Sequence, residues 1–147
     1  MKSIEMKFGI LEVKKSISVI IIIKIGIDPM PTTSKKVAKK PAKKIKYKPD
    51  LIIGNNVYAH VPNLNDFTKG IKTLLKTNGT ITLEFPHLLN LIKYSQFDTI
   101  YHEHLRYYSL SSLEYLFQKH DMEIIKAKQI NTHGGSIRVY AANKGKY

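Results

Sequence analysis

The sequence contains no cysteine and no tryptophan among its 147 residues. The absence of cysteine excludes disulfides, thiolate zinc sites and cysteine nucleophiles, and it is typical of proteins from a reducing compartment. We therefore expect a cytoplasmic protein. The sequence also lacks a long apolar run. The run Ile17–Ile27 has about half the length of roughly 20 residues that a membrane-spanning helix needs, and Lys24 interrupts it. We expect no membrane segment.

Acidic residues are scarce relative to basic ones. The chain has 11 Asp and Glu against 24 Lys and Arg, which gives a net charge of +13. Much of the excess lies in the lysine-rich stretch 30–48, which can be interpreted as a patch that binds nucleic acid or as a solvated linker. We favour the linker, because the stretch has no arginine and no regular interleaving of aromatic residues.

The run Ile17–Ile27 consists mainly of Val and Ile, which is typical of a strand that is covered on both faces in a parallel sheet. Asp28 follows this run directly. Asp28 has two possible roles. An acidic side chain at the end of such a strand in a doubly wound sheet can hold a ribose. The simpler interpretation is that Asp28 begins a turn before Pro29. Residues 1–16 show no firm period, so we expect little regular structure there.

The pattern becomes regular from Asp50 onward. It predicts first a strand, Leu51–Val57, and a helix capped by Asn63 or Asn65. A second strand, Thr80–Phe85, and a helix with a capping box of Ser111 and Glu114 follow. The last two predicted elements are the strands Met122–Ile130 and Ser136–Ala142. The last two strands should be antiparallel, because their connection is too short for a crossover helix. We therefore expect a basic segment over 1–49, with one buried strand (17–27) and a lysine-rich linker, and an α/β core over 50–147.

The stretch Phe97–Ser109 reads FDTIYHEHLRYYS and does not look like a core segment. Tyr101, His102, Glu103 and His104 place four side chains that can exchange protons or hydrogen bonds in a row, without an apolar period. We take this YHEH segment as the centre of an active site.

Three motifs in a fixed order carry a resemblance to a known family. EFPHLL, FDTIYHEH and THGGS, together with GNNVYAHVPNLNDF upstream, resemble the sugar C-methyltransferases that use S-adenosylmethionine and act on nucleotide-linked keto-deoxysugars. The resemblance covers about two-thirds of the chain. It implies an incomplete class I methyltransferase fold, which is a Rossmann-like sheet, mostly parallel, with a C-terminal antiparallel strand pair.

The resemblance also implies roles for individual side chains. His104 would be the general base that forms an enolate, an assignment that suits an imidazole because its pKa lies near neutrality. The other implied site residues are Tyr101, Glu103 and His60 for catalysis, Asp28 and Asn55 for the cofactor, and Asn56 and His133 for the substrate.

Several features of the family are missing from the sequence. Residues 1–16 contain one glycine, Gly9, and no glycine-rich loop, and there is no cysteine-containing zinc module. We therefore expect a truncated or decayed member that binds the cofactor weakly, with a partner chain as a candidate source of the missing parts.

Two other interpretations stay open at the level of sequence. His102 and His104 would share one face of an extended segment and, with Glu84 or Glu103, begin a metal site; we expect no metal, because no second half-motif follows. The zinc motif HExxH fails because Arg106 stands in its last position. The alternative to an enzyme is a basic interaction protein or an inactive remnant.

Overall fold

The computed structural model describes residues 48–147 in full and the backbone of two strands before them. These strands are β1 (Met6–Glu12) and β2 (Ser18–Lys24). The later strands are β3 (Leu51–Asn55), β4 (Thr80–Pro86), β5 (Met122–Ile130) and β6 (Ser136–Asn143). Asp28 and the lysine-rich stretch up to residue 47 lie outside the described residues.

The strands that the structure describes form one sheet in the order β1-β2-β3-β4-β6-β5. Strands β2, β3 and β4 are parallel, whereas β1, β6 and β5 join the sheet by antiparallel pairing. The expected α/β sheet with a C-terminal antiparallel pair is confirmed. Strand β1 was not expected, and its antiparallel pairing at the outer edge gives the sheet a more mixed character than the sequence indicated.

Strand β5 forms the opposite edge of the sheet. Its pairing with β6 is interrupted by a register shift between Ile124 and Lys126. Residues 125–129 of this strand are exposed to solvent.

Three α-helices occur in the described part of the chain, α1 (Leu64–Leu74), α2 (Leu88–Lys93) and α3 (Leu110–Lys119). Asn63 caps α1 as expected, because its side chain accepts a hydrogen bond from the Asp66 amide at 3.1 Å. The predicted capping box of α3 is wrong. Ser109 is the cap and exchanges hydrogen bonds with Ser112, so that the helix begins before the predicted Ser111.

The hydrophobic core lies between the sheet and helices α1 and α3. The inner face of α3 carries Leu113, Leu116 and Phe117, which are all buried. They pack in one cluster with strand residues such as Ile81 and Val139. Among the residues that the structure describes, no helix is long and apolar enough to span a membrane.

The parallel register brings the carboxyl ends of β2, β3 and β4 to the same edge of the sheet. Ile23 is paired with Asn55, and Asn55 is paired with Glu84. Ligands of open α/β sheets bind beyond this edge. We therefore expect a ligand site at the loops that follow β3 and β4.

Candidate active site

An open cleft of about 610 Å³ lies where β3 and β4 end. Its volume falls within the range of small-molecule sites, which is roughly 300 to 1,000 Å³. The residues that line it are Asn56, His60, Pro86, Gln96, Asp98, Thr99, Tyr101, His104, His133 and Gly134. Five of the eight predicted site residues thus meet in one place, namely His60, His104, Tyr101, Asn56 and His133.

The YHEH segment folds as a tight turn. The His104 amide donates to the Tyr101 carbonyl at 3.0 Å, and the phenol oxygen of Tyr101 lies 3.0 Å from His104 Nε2. The two rings are 4.2 Å apart between centroids. The expectation of an extended segment, with His102 and His104 on one face, is therefore wrong, because the turn stacks Tyr101 against His104 instead.

The tautomer of His104 follows from its contacts. Its Nδ1 lies 2.8 Å from the carbonyl oxygen of Thr99, and a carbonyl can only accept, so Nδ1 carries the hydrogen. In the neutral ring Nε2 is then the basic nitrogen, and it accepts a hydrogen bond from the Tyr101 hydroxyl. The Tyr107 hydroxyl also donates to the Thr99 carbonyl, at 3.2 Å. The basic atom of His104 consequently faces the Tyr101 side of the cleft.

His60 is held in the same manner beside His104. It is only 5% exposed, and its Nδ1 donates to the carbonyl oxygen of Glu103 at 2.7 Å. The ring centroids of His60 and His104 are 4.9 Å apart. Two imidazoles therefore share the floor of the cleft, and each is oriented by a main-chain carbonyl.

The short 3-10 helix Tyr58–His60 is tied to the chain that follows the YHEH turn. The Leu105 amide donates to the Ala59 carbonyl at 2.8 Å, and the Arg106 guanidinium donates to the carbonyls of Val61 and Pro62. These bonds connect segments that are more than 40 residues apart in sequence. They fix the distance between the two histidines.

The Tyr101 hydroxyl is suited to donate hydrogen bonds. Partial burial, and secondly the negative charge of Glu103, raise the pKa of this phenol above its ordinary value. Tyr101 therefore stays protonated over a wider pH range than a free tyrosine. A protonated phenol beside an imidazole can stabilise a developing oxyanion.

A glycine loop closes the cleft on the side of β6. His133, Gly134 and Gly135 all have positive φ, at 50°, 72° and 109°. The Gln96 side chain donates to the Gly134 carbonyl at 2.6 Å, and a Cβ at Gly134 would lie 2.8 Å from Gln96 Nε2. Glycine suits the positive φ at this position, and a Cβ there would force the end of the Gln96 side chain to shift.

Of the other predicted site residues, Asn56 lines the cleft, whereas Asn55 and Glu103 do not. Asn56 has φ of 53°, and its amide donates to the Glu84 carbonyl at 2.7 Å, which places it in the cleft wall. Asn55 is exposed at the end of β3 and does not line the cleft, and Glu103 contributes its carbonyl to His60. Asp28 falls outside the described residues.

The sequence-based interpretation missed Gln96, Asp98, Thr99 and Gly134 as cleft residues. Thr99 acts through its main-chain carbonyl, for which a sequence carries no signal. Gln96 could have been found only from its hydrogen bond to the glycine loop.

The metal-site alternative finds no support in the geometry. The Glu84 carboxylate binds Arg138 Nη2 at 2.6 Å and accepts a hydrogen bond from Thr132 at 3.1 Å. Within the described part of the chain, no three His, Asp or Glu side chains gather as metal ligands. Glu84 instead joins β4 to β6.

Comparisons of the sequence with known proteins find a matching family model and a curated relative. The family model for the methyltransferase domain matches residues 21–127. The C-methyltransferase NovU of Streptomyces niveus is 41% identical over 92 residues, which is 63% of this chain. The match spans only 22% of that relative's length.

Solved structures share the fold at low sequence identity. An S-adenosylmethionine-dependent methyltransferase from Clostridium acetobutylicum matches 70% of this chain and 61% of its own, with a TM-score of 0.53 and 14% identity. Magnesium protoporphyrin IX methyltransferase from Synechocystis PCC 6803 matches 69% of this chain and 48% of its own, with a TM-score of 0.52 and 13% identity. At these identities the matches show the fold alone.

Proposed function

This chain belongs to the methyltransferase domain family, and we propose that it is the catalytic part of an S-adenosylmethionine-dependent C-methyltransferase acting on a nucleotide-linked keto-deoxysugar. The name of the 41% identical relative, a C-methyltransferase, supports carbon as the methyl acceptor. The observation that carries the proposal is the oriented His104, whose basic nitrogen faces the cleft beside a tyrosine hydroxyl.

The chemistry of the acceptor explains why such a histidine is needed. A carbon beside a ketone becomes nucleophilic only after it has lost a proton. In the proposed step the C–H proton moves to Nε2 of His104, and the bonding electrons form an enolate whose oxygen carries the negative charge. An imidazole is the side chain best matched to accept a proton near neutral pH.

The enolate oxygen requires hydrogen-bond donors. The Tyr101 hydroxyl is one candidate, because it already lies 3.0 Å from Nε2 and so borders the site of proton transfer. The ring of His60 lies 4.9 Å from that of His104 and is the second candidate, but only in its protonated form, because the Nδ1 hydrogen is already donated to the Glu103 carbonyl and Nε2 of the neutral ring can only accept. Preoriented donors of this kind are worth about 2.7 to 4 kcal/mol in other enzymes.

The edge of the sheet at which β3 and β4 end offers some of the groups that could bind the cofactor. Asn55 at the end of β3 offers an exposed amide, and the parallel strand ends form the edge at which α/β sheets bind nucleotides. We assign Asn55 and Asp28 to cofactor binding, and Asn56 and His133 to the substrate. When bound, S-adenosylmethionine supplies an electrophilic methyl group.

The missing glycine-rich loop limits the affinity for this cofactor. In residues 1–16 Gly9 is the one glycine, so the backbone donors that such a loop provides are not available there. We propose that the 147-residue chain binds S-adenosylmethionine weakly. A partner chain or further sequence that supplies this loop would restore the affinity.

Calorimetric titration of the chain with S-adenosylmethionine tests the proposal. We expect saturable binding with a dissociation constant weaker than the low micromolar range, and incorporation of labelled methyl into a nucleotide-linked keto-deoxysugar once the missing loop is supplied. Tight binding by the chain alone would contradict the argument from the loop. No binding and no transfer, with strongly salt-dependent binding to a polyanion, would support the basic interaction protein instead.

A further inference from the structure

A separate pocket lies at the end of the sheet opposite to the cleft. It measures about 410 Å³, which falls within the range of roughly 300 to 1,000 Å³ for small-molecule sites. Thr77 and Asn143 both line it. Thr77 precedes β4, and Asn143 is the last residue of β6, which runs antiparallel to β4. The pocket therefore lies where β4 begins, whereas the cleft lies where β4 ends.

Lysine side chains dominate the lining of this pocket. Lys48, Lys72, Lys144 and Lys146 line it together with one acidic residue, Asp121, which leaves an excess of three positive charges. In the described part of the chain, none of these four lysines forms an ion pair. Like charges around one pocket repel one another, and a bound anion relieves this repulsion.

The ammonium of Lys72 is held in place by the main chain. Its Nζ donates to the carbonyl oxygen of Asp121 at 2.9 Å and to that of His120 at 3.4 Å. An ammonium group has three N–H donors, so one of them remains for a ligand. A cation that is already positioned loses little conformational entropy when a ligand binds.

The segment after β6, which carries Lys144 and Lys146, is tied to the start of β5. The Lys144 amide donates to the Asp121 carbonyl at 3.0 Å, and the Gly145 amide donates to the Glu123 carboxylate at 2.9 Å. The main chain that presents the two lysines is therefore ordered before any ligand binds.

A buried polar side chain in the wall of the pocket lacks a partner. Asn143 is only 8% exposed, and its Nδ2 donates to the carbonyls of Lys76 and Thr77, each at 3.0 Å. These two bonds fix the orientation of the amide, and its Oδ1 makes no hydrogen bond within the described residues. Buried polar groups nearly always have a partner, so an unsatisfied one calls for a bound ion, ligand or water. This observation is independent of the lysines.

We propose that this pocket binds a small polyphosphate anion, with the four lysines as its cationic ligands. Lysine ammonium groups bind phosphate oxygens as point charges, and several of them suit an anion that carries several negative charges in a small volume. None of the described residues that line the pocket is aromatic, so the pocket offers no surface on which a nucleobase could stack. The site is separate from the cleft and does not depend on the proposed methyl transfer.

Calorimetric titration of the full chain with inorganic tripolyphosphate tests the site. We expect saturable binding. The double variant Lys144→Gln, Lys146→Gln should bind the anion about 2- to 30-fold more weakly, the range expected for loss of two exposed charge contacts. No saturable binding to the unaltered chain would overturn the site.

The double variant Lys126→Gln, Lys128→Gln is the matched control. It removes the same charge from exposed positions on β5 that do not line the pocket. Its affinity for tripolyphosphate should equal that of the unaltered chain. Equal losses in the two double variants would show that the affinity follows net charge alone, and the site would be rejected.

NMR shifts of the backbone amides locate the bound anion. On addition of tripolyphosphate we expect shifts at Asp121 and Lys144, beside the pocket, and none at His104 in the cleft. Shifts confined to the lysine-rich stretch before residue 48 would place the anion there and contradict the proposal.

Titration with a single-stranded oligothymidylate distinguishes a phosphate site from a nucleic-acid surface. We expect the two double variants to bind this probe with the same affinity, because the pocket has no stacking surface for bases. Loss of oligonucleotide binding in the Lys144 and Lys146 variant alone, without saturable binding of tripolyphosphate to the unaltered chain, would assign the pocket to nucleic acid and overturn the proposal.

Discussion

The phenol oxygen of Tyr101 lies 3.0 Å from Nε2 of His104, so a hydroxyl group covers the nitrogen that we assign as the base. A substrate C–H bond can reach that nitrogen only if the hydroxyl moves aside. Once displaced, the Tyr101 hydroxyl is in position to donate to the enolate oxygen that forms next to it. The contact therefore links the removal of the proton to the stabilisation of the resulting charge.

His104→Ala should reduce methyl transfer by roughly a hundred- to ten-thousand-fold, the usual loss on removal of a general base. The affinity for S-adenosylmethionine should stay within a few-fold. Carboxylates near the turn are weaker bases than an imidazole and cannot take over the step. Exchange of the acidic substrate hydrogen in deuterated water, followed by NMR, measures the proton transfer directly.

Tyr101→Phe is the companion variant for this test. It removes one donor and leaves the base, so the loss of rate should be smaller than in the His104 variant. A greater loss in the Tyr101 variant, or a near-normal rate without His104, would show that the base has been assigned to the wrong residue. Tyr101 or His60 would then be the base.

Gln96→Ala should loosen the glycine loop without unfolding the protein. The variant loses the 2.6 Å hydrogen bond to the Gly134 carbonyl, and a bond of this kind contributes about 0.5 to 1.5 kcal/mol. Amide hydrogen exchange at Gly135, which donates to the Thr132 carbonyl, should become about 2- to 12-fold faster.

Gln118→Ala, on the exposed side of α3, provides the control for the loop measurement. It should leave exchange at Gly135 unchanged. Equal exchange rates in the Gln96 variant and the unaltered protein would mean that other contacts hold the loop.

His87→Leu should make the protein less sensitive to acid. His87 is buried, its Nδ1 has no hydrogen-bond partner among the described residues, and burial lowers the pKa of its imidazole. Below about pH 6.5 the unfolded chain therefore takes up a proton at this residue more readily than the folded one. The stability that depends on neutral His87 is present above this pH and is lost as the pH falls toward the lowered folded-state pKa.

Urea unfolding followed by circular dichroism at several pH values between about 5 and 7.5 measures this effect. The unaltered protein should lose more unfolding free energy on acidification than the His87 variant. His102→Leu, which replaces an exposed histidine, should behave like the unaltered protein. Parallel pH profiles for all three proteins would rule out His87 as a source of acid sensitivity.

Phe117→Ala should destabilise the fold by about 3 to 5 kcal/mol, the usual cost of removing a buried aromatic ring. The ring is fully buried between α3 and the sheet, where it contacts Tyr58 edge to face at 6.3 Å between centroids. Tyr115→Ala on the exposed face of the same helix should change stability by less than about 0.5 kcal/mol. Equal losses in urea unfolding would contradict the assignment of the inner face.

Hydrophobic periodicity predicted the elements that build the core. Strand β3 and the buried face of α3 could be read directly because their apolar residues recur at strand and helix spacing. Strand β1 could not, because Gly9 interrupts a short and mixed segment and weakens its strand pattern. The cap of α3 was misplaced because three serines stand together at its start, and only backbone geometry decides which one is the cap.

The candidate site was predictable where side chains carry the chemistry. His60, Tyr101 and His104 were named from their motifs, and they meet in one cleft. The turn over the YHEH segment was not predicted, because it contains neither glycine nor proline. The role of Thr99 could not be predicted from the sequence either, because it is the main-chain carbonyl of Thr99, and not its side chain, that orients His104.

The exposed edge formed by β5 affects how the protein behaves at high concentration. An edge strand presents unpaired backbone groups that can recruit a strand from another molecule and start aggregation. Lys126 and Lys128 place positive charges on this edge, and the register shift at Ile124 distorts the regular ladder that a second strand would need. The combination of charge and irregular pairing opposes self-assembly at this edge, so replacing the two lysines with apolar residues would turn a solvated edge into a template for intermolecular sheets.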